Sequence, residues 1–325
     1  MRFVVIGAGA VGGVVGGLLH RSGADVVLIA RGAHLERIQR QGLRLLTYQG
    51  DTDEQVTAVG SVAEVDWRDD DVALLGVKSD ATNALLPELA AVAPPSVSVV
   101  CLQNGIANEP AAMRWFENVY GITVMAPTTH LEPGVVEANC GPIAAILDIG
   151  RYPSGVDETA REVATALERA SMVSEPRDDI TRWKNRKLVS NLGNAVNAAC
   201  APGEAADELL RLVRAEGEGV LAAAGYDVAT TAEDRQRRGD ILQRYPRENR
   251  TRGGSSSWQS LARGTGAIEA DYLNGEIVRI GRGIGYPAPA NEFIRRLAVA
   301  MAKERAEPQS NDAAAVLTQL GATAL

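Results

Sequence analysis

An α/β N-terminal domain built on a doubly wound parallel sheet, followed by an all-α C-terminal domain, is the fold class that this 325-residue chain predicts. Three observations predict it. The length exceeds what one hydrophobic core usually organises, so two domains are expected. The first half alternates short apolar runs with helical patterns, and runs buried on both faces read as parallel strands joined in repeated βαβ units. Beyond Asp179 almost every segment has helical periodicity.

Taken in order, FVVIG at 3–7, VVLIA at 26–30, VALLGV at 72–77 and VSVVCLQ at 97–103 are the expected strands. A short helix around Met113 to Glu117 leads to GITVMAP at 121–127 as the next. The stretch 135–150 reads as one or two further strands, antiparallel, closing this domain before the acidic helical stretch DETAREVATALERA. The boundary falls near 172–180, giving domains of 1–175 and 176–325. Helices are expected over Arg182–Ala199, Glu204–Ala224, Glu233–Leu242, Ile268–Ile284 and Asn291–Ala306. Gly225 and the Gly285-Tyr286-Pro287 stop serve as terminators. The tail from Glu307 to Leu325 is expected to pack loosely or fray.

Composition narrows the function classes. Hydrophobic residues make up 46% and charged residues 23%, an ordinary globular balance. A net charge of -8 argues against a nucleic-acid partner, because phosphate binding needs concentrated positive charge. Cys101, Cys140 and Cys200 are odd in number and widely separated, which fits a reducing cytoplasm. Neither they nor His20, His34 and His130 have metal-ligand spacing, so metal-free chemistry is expected. The start MRFVVIGAGAVGG lacks the marks of a signal peptide, and no apolar run reaches 18 residues, so no membrane partner is expected.

Chemistry enters with Gly7, Gly9 and Gly12, a G-x-G-x-x-G directly after the first strand and opening a helix. Glycines there permit a tight turn and close approach of a dinucleotide pyrophosphate, whose charge sits on the free N–H groups of Ala10, Val11 and Gly12 at the helix terminus. The first domain is therefore Rossmann-type. An acidic residue ending the second strand would select NAD, but the strand runs into Arg31, which suits the 2′-phosphate of NADP(H). A solvated surface charge is the plainer alternative for Arg31. Lys78 and Asn104 follow the third and fourth strands, at the carboxyl ends where open α/β sheets bind ligands; each is equally a loop-capping polar residue.

Within 180–200 a helical segment is rich in lysine and asparagine. Lys187 and Asn191 are four apart and share a face, Asn194 returns close to it, and Lys184 projects about a turn earlier. Such a face makes a poor core unless the amides bond something, and surface exposure is the alternative.

Over nearly its whole length the chain resembles the ketopantoate reductase family, the 2-dehydropantoate 2-reductases. The resemblance rests on GAGAVGG, Arg31, LLGVK ending in Lys78, LQNG containing Asn104, TTH at 128–130, RKLVSN, and IEADYLNGEIVRIGRGIGYPAP. It implies NADPH-dependent reduction of 2-dehydropantoate to pantoate, a step of pantothenate biosynthesis, in a cleft between a Rossmann-type and an all-helical domain. It further implies Lys187 as the catalytic lysine, Glu269 as an acidic active-site residue, Asn104 near the nicotinamide, and Asn191 a turn beyond the lysine. Ser257, twelve positions before Glu269, matches a serine for the substrate carboxylate, so that GGSSS at 253–257 becomes functional; a plain loop is the alternative. The expected partner is a small 2-oxo acid, and a homodimer stays open.

One departure bears on the substrate. The family's second substrate-binding asparagine, eight residues beyond its lysine, is here Ala195, flanked by Asn194 and Asn197. Either a change of helical pitch lets a neighbouring asparagine, Asn194 or Asn197, substitute, or the pocket takes another 2-oxo acid or an imine. A non-catalytic NADP-binding sensor is the alternative of another class. The segment from Arg235 to Arg252, with seven arginines, reads as a solvated helix face rather than an anion trap.

Overall fold

A computed structural model of the chain describes residues 1–245, 254–264 and 266–323. The chain divides into two compact units. The first comprises Met1–Gln103, Ala107–Lys184 and the described part of 231–248; the second comprises Asn104–Ile106, Asn185–Thr230 and the described part of 249–325. Neither is contiguous in sequence.

The first unit carries, in order, β1 (Arg2–Ile6), α1 (Ala10–Arg21), β2 (Val26–Ile29), α2 (Gly32–Gln41), β3 (Leu43–Thr47), β4 (Gly50–Glu54), β5 (Thr57–Val59) and β6 (Asp71–Leu75). Then follow α3 (Ser79–Ala90), β7 (Ser98–Cys101), α4 (Asn108–Ala112), β8 (Val119–Met125), β9 (Thr128–Thr129), β10 (Val135–Ala138), β11 (Ile146–Arg151) and α5 (Glu158–Arg169). The expected apolar runs are strands of one seven-stranded sheet in the order β11-β8-β7-β6-β1-β2-β5. All neighbours are parallel except β11, which runs antiparallel to β8. The order reverses between β1 and β6, and the crevice at that switch point is where doubly wound sheets hold ligands. Apolar side chains of β1 divide between two cores, Phe3 and Val5 on one face and Val4 and Ile6 on the other, which is why the run is continuous rather than alternating.

Of the strands in a second sheet, β4-β3-β10-β9, only β10 is among the expected ones. β10, expected as a strand, pairs parallel with β3 and antiparallel with β9 rather than joining the main sheet. The helix expected around Met113 to Glu117 lies earlier, as α4.

α6 (Ile180–Asn191) begins in the first unit and ends in the second. The second unit then carries α7 (Gly193–Ala199) and α8 (Glu204–Ala223), the first unit takes back α9 (Thr231–Arg238), and α10 (Ser256–Ala262), α11 (Asn274–Ile284), α12 (Pro289–Glu304) and α13 (Ala313–Thr323) follow. The single helix expected over Arg182–Ala199 is thus two, divided at Leu192, and the one expected over Ile268–Ile284 is a 3-10 turn (Glu269–Asp271) followed by α11. Gly285 ends α11 in the left-handed conformation, φ 71°. The tail corrects the sequence reading: Val316 and Leu320 of α13 are buried in the helical core. Part of the arginine segment, 246–252, and Gly253 lie outside the described residues. Among those described, Arg237 is not solvated, because the buried Asp148 of β11 accepts hydrogen bonds from its guanidinium and from that of Arg177.

Candidate active site

The candidate nucleotide-binding loop of the first unit is built from glycine. Gly7 leaves β1 with φ +100°, and a Cβ there would lie 2.8 Å from the Val77 nitrogen beyond β6. A Cβ on Gly12 would collide with the Gly7 carbonyl oxygen. Both glycines are demanded by the close turn itself. Gly9 differs: apart from its chain neighbours, a Cβ there would meet no atom of the described residues within 4 Å, although Gly9 is the N-cap of α1. Packing within the chain does not require that glycine, whereas close approach of a phosphate would. Gly9 offers no side chain to cap α1, so Ala10, Val11 and Gly12 present a first turn of the kind that binds anions. The residues present fit a dinucleotide.

Around this cradle stand the other expected cofactor residues. Arg31 is exposed at the N-cap of α2, directly beyond β2. Lys78 is half-buried at the N-cap of α3, beyond β6. His34, which the sequence did not single out, contacts the Ala8 carbonyl through Nε2 at 2.7 Å and accepts from the Gly134 N–H at Nδ1 at 2.7 Å. With Nδ1 an acceptor, Nε2 carries the proton and donates to Ala8. The ring ties the glycine loop to the segment before β10. Burial, and then the neighbouring His130 ring at 4.3 Å, push its pKa below the ordinary histidine value.

The second unit contains the expected substrate residues. Asn191, buried at the end of α6, donates from Nδ2 to the Asn104 Oδ1 at 2.8 Å. Lys187 stands one turn earlier on the same helix, half-buried. The segment carrying Asn104 reaches the region of Glu269: Gly105 adopts φ +83°, and a Cβ there would lie 3.1 Å from the carbonyl oxygen of Tyr272. Glu269 itself is half-buried in its 3-10 turn. Ser257 of α10 is 2% exposed, and its hydroxyl has no hydrogen-bond partner among the described residues. An unpaired buried hydroxyl is unfavourable, which makes Ser257 a fitting group for an added polar ligand.

The helix division at Leu192 settles where the asparagines lie. Ala195 is 1% exposed and belongs to the helical core. Asn194 is half-buried, and its backbone carbonyl accepts from the Ser255 hydroxyl at 3.1 Å. The Asn197 Oδ1 accepts from the Ser255 N–H at 3.0 Å, so Asn197 serves to anchor α10.

A buried amide network, also absent from the sequence reading, holds these pieces. Asn274 donates to the Leu192 carbonyl at 3.1 Å and to the Asn291 Oδ1 at 2.9 Å, and Asn291 donates to Glu216 and to the Val213 carbonyl. Asn274 and Asn291 are both fully buried. Leu192 is thus the point where the helix opens and its carbonyl is taken by the segment following Glu269. The sequence signal was slight: one asparagine in the first turn of each of two amphipathic helices.

A glycine-cradled switch point in one unit, with a lysine, amides, a serine and a carboxylate in a helical second unit, defines the class of Rossmann-type oxidoreductases with a helical second domain. The model of the ketopantoate reductase PanE/ApbA family matches residues 3–152, and its C-terminal counterpart matches 179–302. The chain belongs to that family. It is 30% identical to the 2-dehydropantoate 2-reductase of Pyrococcus horikoshii, over 90% of this chain and 94% of that one. It is 31% identical to the enzyme of the same name from Archaeoglobus fulgidus, over 91% and 96%. The crystal structure of a PanE/ApbA family ketopantoate reductase from Ralstonia eutropha superposes with a TM-score of 0.78 at 30% identity, covering 94% of this chain and 99% of that one.

Proposed function

We propose that the chain is an NADPH-dependent reductase of 2-oxo acids whose substrate is 2-dehydropantoate, acting in the cytoplasm in pantothenate biosynthesis. The observation that carries the reading is the Asn191–Asn104 hydrogen bond on the helix that bears Lys187: it joins, at 2.8 Å, two of the residues the sequence assigned to one site. Bound NADPH supplies a hydride to the carbonyl carbon. As the C=O π electrons move onto oxygen, the Lys187 ammonium stabilises the growing charge and transfers a proton to it, leaving a neutral amine. Glu269 holds Lys187 charged and oriented, Asn104 and Asn191 orient carbonyl and lysine, and Ser257 receives the carboxylate. Arg31 and Lys78 bind the phosphates of the cofactor.

A second reading has one observation in its favour. Ala195 is buried in the core, so the amide expected there for a substrate hydroxyl is missing, and Asn194 is the amide left to replace it. Where Asn194 does not replace it, a 2-oxo acid lacking that hydroxyl is the better substrate. The test follows the absorbance of reduced nicotinamide with purified protein, NADPH or NADH, and a panel of 2-oxo acids including 2-dehydropantoate. Saturable turnover of 2-dehydropantoate with NADPH is the expected result. Turnover confined to another 2-oxo acid moves the substrate and keeps the chemistry, and binding of NADPH without turnover of any 2-oxo acid overturns the proposal in favour of imines or a sensor.

A further inference from the structure

Lys184, one turn before Lys187 on α6, is 4% exposed, and Glu109 of α4 is 0% exposed. Their charged groups lie 2.7 Å apart. A buried pair of this kind is a poor source of stability, since two charges leave water for one contact. Burial pushes the Glu109 carboxyl above its ordinary value even though the ammonium opposes the shift. What the ammonium does besides pairing explains its presence. It donates to the Gln103 carbonyl at 3.0 Å and to the Ile122 carbonyl at 3.1 Å. Both lie beyond Cys101↔Gly121, the last paired rung of the β7–β8 ladder, where the backbone oxygens of two neighbouring strands need another donor.

The sheet makes room for this side chain. Gly121 sits inside β8, where a glycine ordinarily weakens a strand. A Cβ there would stand 2.9 Å from the Lys184 Cδ and 3.3 Å from the Glu109 Oε1. Gln103 is fixed at its other end as well, its amide donating to the Val77 carbonyl and to Thr82, each at 2.9 Å.

We infer that Lys184 is a positioning residue for the reduction: by binding the carbonyl of Gln103 it fixes the peptide that leads into Asn104, while Asn191, farther along the same helix, fixes the Asn104 side chain. α6 thereby grips one dipeptide at two points and sets Asn104 in register with Lys187. This rests on the proposed roles of Asn104 and Lys187.

The test compares wild type, Lys187→Ala, and the double variant Lys184→Met/Glu109→Leu, which replaces the charge pair with apolar side chains and so avoids a lone buried ion. NADPH affinity, thermal midpoint, kcat and KM are measured with the 2-oxo acid that wild type reduces. The double variant is expected to keep its cooperative melt and to bind NADPH within about twofold of wild type. Its kcat is expected to fall roughly tenfold to a hundredfold, as small misplacements of reacting groups do, with KM changed far less. Lys184→Gln/Glu109→Leu, which restores an N–H donor, should recover part of kcat without following the thermal midpoint. A double variant that folds and turns over at the wild-type kcat overturns the inference. If neither double variant folds, Lys184→Met alone decides: it removes the donor to the Gln103 carbonyl and leaves Glu109, whose neutral form burial already favours, so a several-fold lower kcat is expected and a wild-type kcat overturns the inference. Full activity of Lys187→Ala would instead overturn the proposed chemistry itself.

Discussion

Arg31 shows how far a single residue can be read. Its position beyond β2 follows from the strand pattern alone, and the structure leaves it exposed at the N-cap of α2, open to a ligand. If it binds the 2′-phosphate, Arg31→Ala removes a charge-assisted hydrogen bond worth about 1.5–3 kcal/mol, roughly a tenfold to hundredfold loss of affinity. Titration of the variant is expected to show that loss for NADPH and little change for NADH; equal losses for both would mean that Arg31 does not read the phosphate. Gly7, Lys187 and Asn191 stand out as candidates in the sequence because each belongs to a local pattern whose spacing has a physical meaning. Glu109, Lys184 and Asn274 were not legible in their roles. Their partners stand dozens of positions away, and a glutamate in NEPAA or an asparagine before a helix looks like surface until the fold buries it.

Among elements, legibility followed burial on both faces. β1, β2, β6 and β7 are continuous apolar runs because helices cover the main sheet, whereas β4, GDTDE, is mostly exposed and carries no pattern that names it a strand. The division between α6 and α7 was equally hidden: the helical period continues through it, and Asn274 takes the Leu192 carbonyl from outside the local sequence. His34 links two elements, the glycine loop and the segment before β10, and gives that junction a pH dependence. Its pKa is lowered in the folded protein, so the unfolded chain binds the proton more readily. The stability that the neutral ring contributes is therefore complete above the ordinary histidine value of 6.5 and is lost as pH falls through it toward the lower folded value. The thermal midpoint of wild type is expected to drop between about pH 7 and pH 5 more steeply than that of His34→Gln, which has no ring to protonate. Parallel curves for the two proteins would show that His34 protonates without disturbing the loop.

At the scale of the whole molecule, the sequence suggested a cut near 175, where the alternation of strands and helices ends. In the structure the first compact unit runs past that cut to Lys184 and takes in the described part of 231–248. Asp148 and Glu109 are 0% exposed, and the cations that face them are Arg177, Arg237 and Lys184, all beyond the cut. Two of these lie in the next nine residues, and the third returns from α9 after an excursion through the helical unit. Removing one partner of a buried ion pair costs about 3–5 kcal/mol, and the fragment loses the partners of two carboxylates, against a total stability of about 5–15 kcal/mol for an ordinary domain. The 1–175 fragment, although it contains every glycine of the cofactor cradle, is accordingly expected to show no cooperative melt and no NADPH binding at neutral pH. Glu109→Leu together with Asp148→Ala in the same fragment should restore part of both, because the two uncompensated charges are then gone. Cooperative melting of the unmodified fragment would mean that these carboxylates find water or protonate at little cost. Recovery in the substituted fragment alone would place the requirement for the distant arginine and lysine side chains in charge balance rather than in packing.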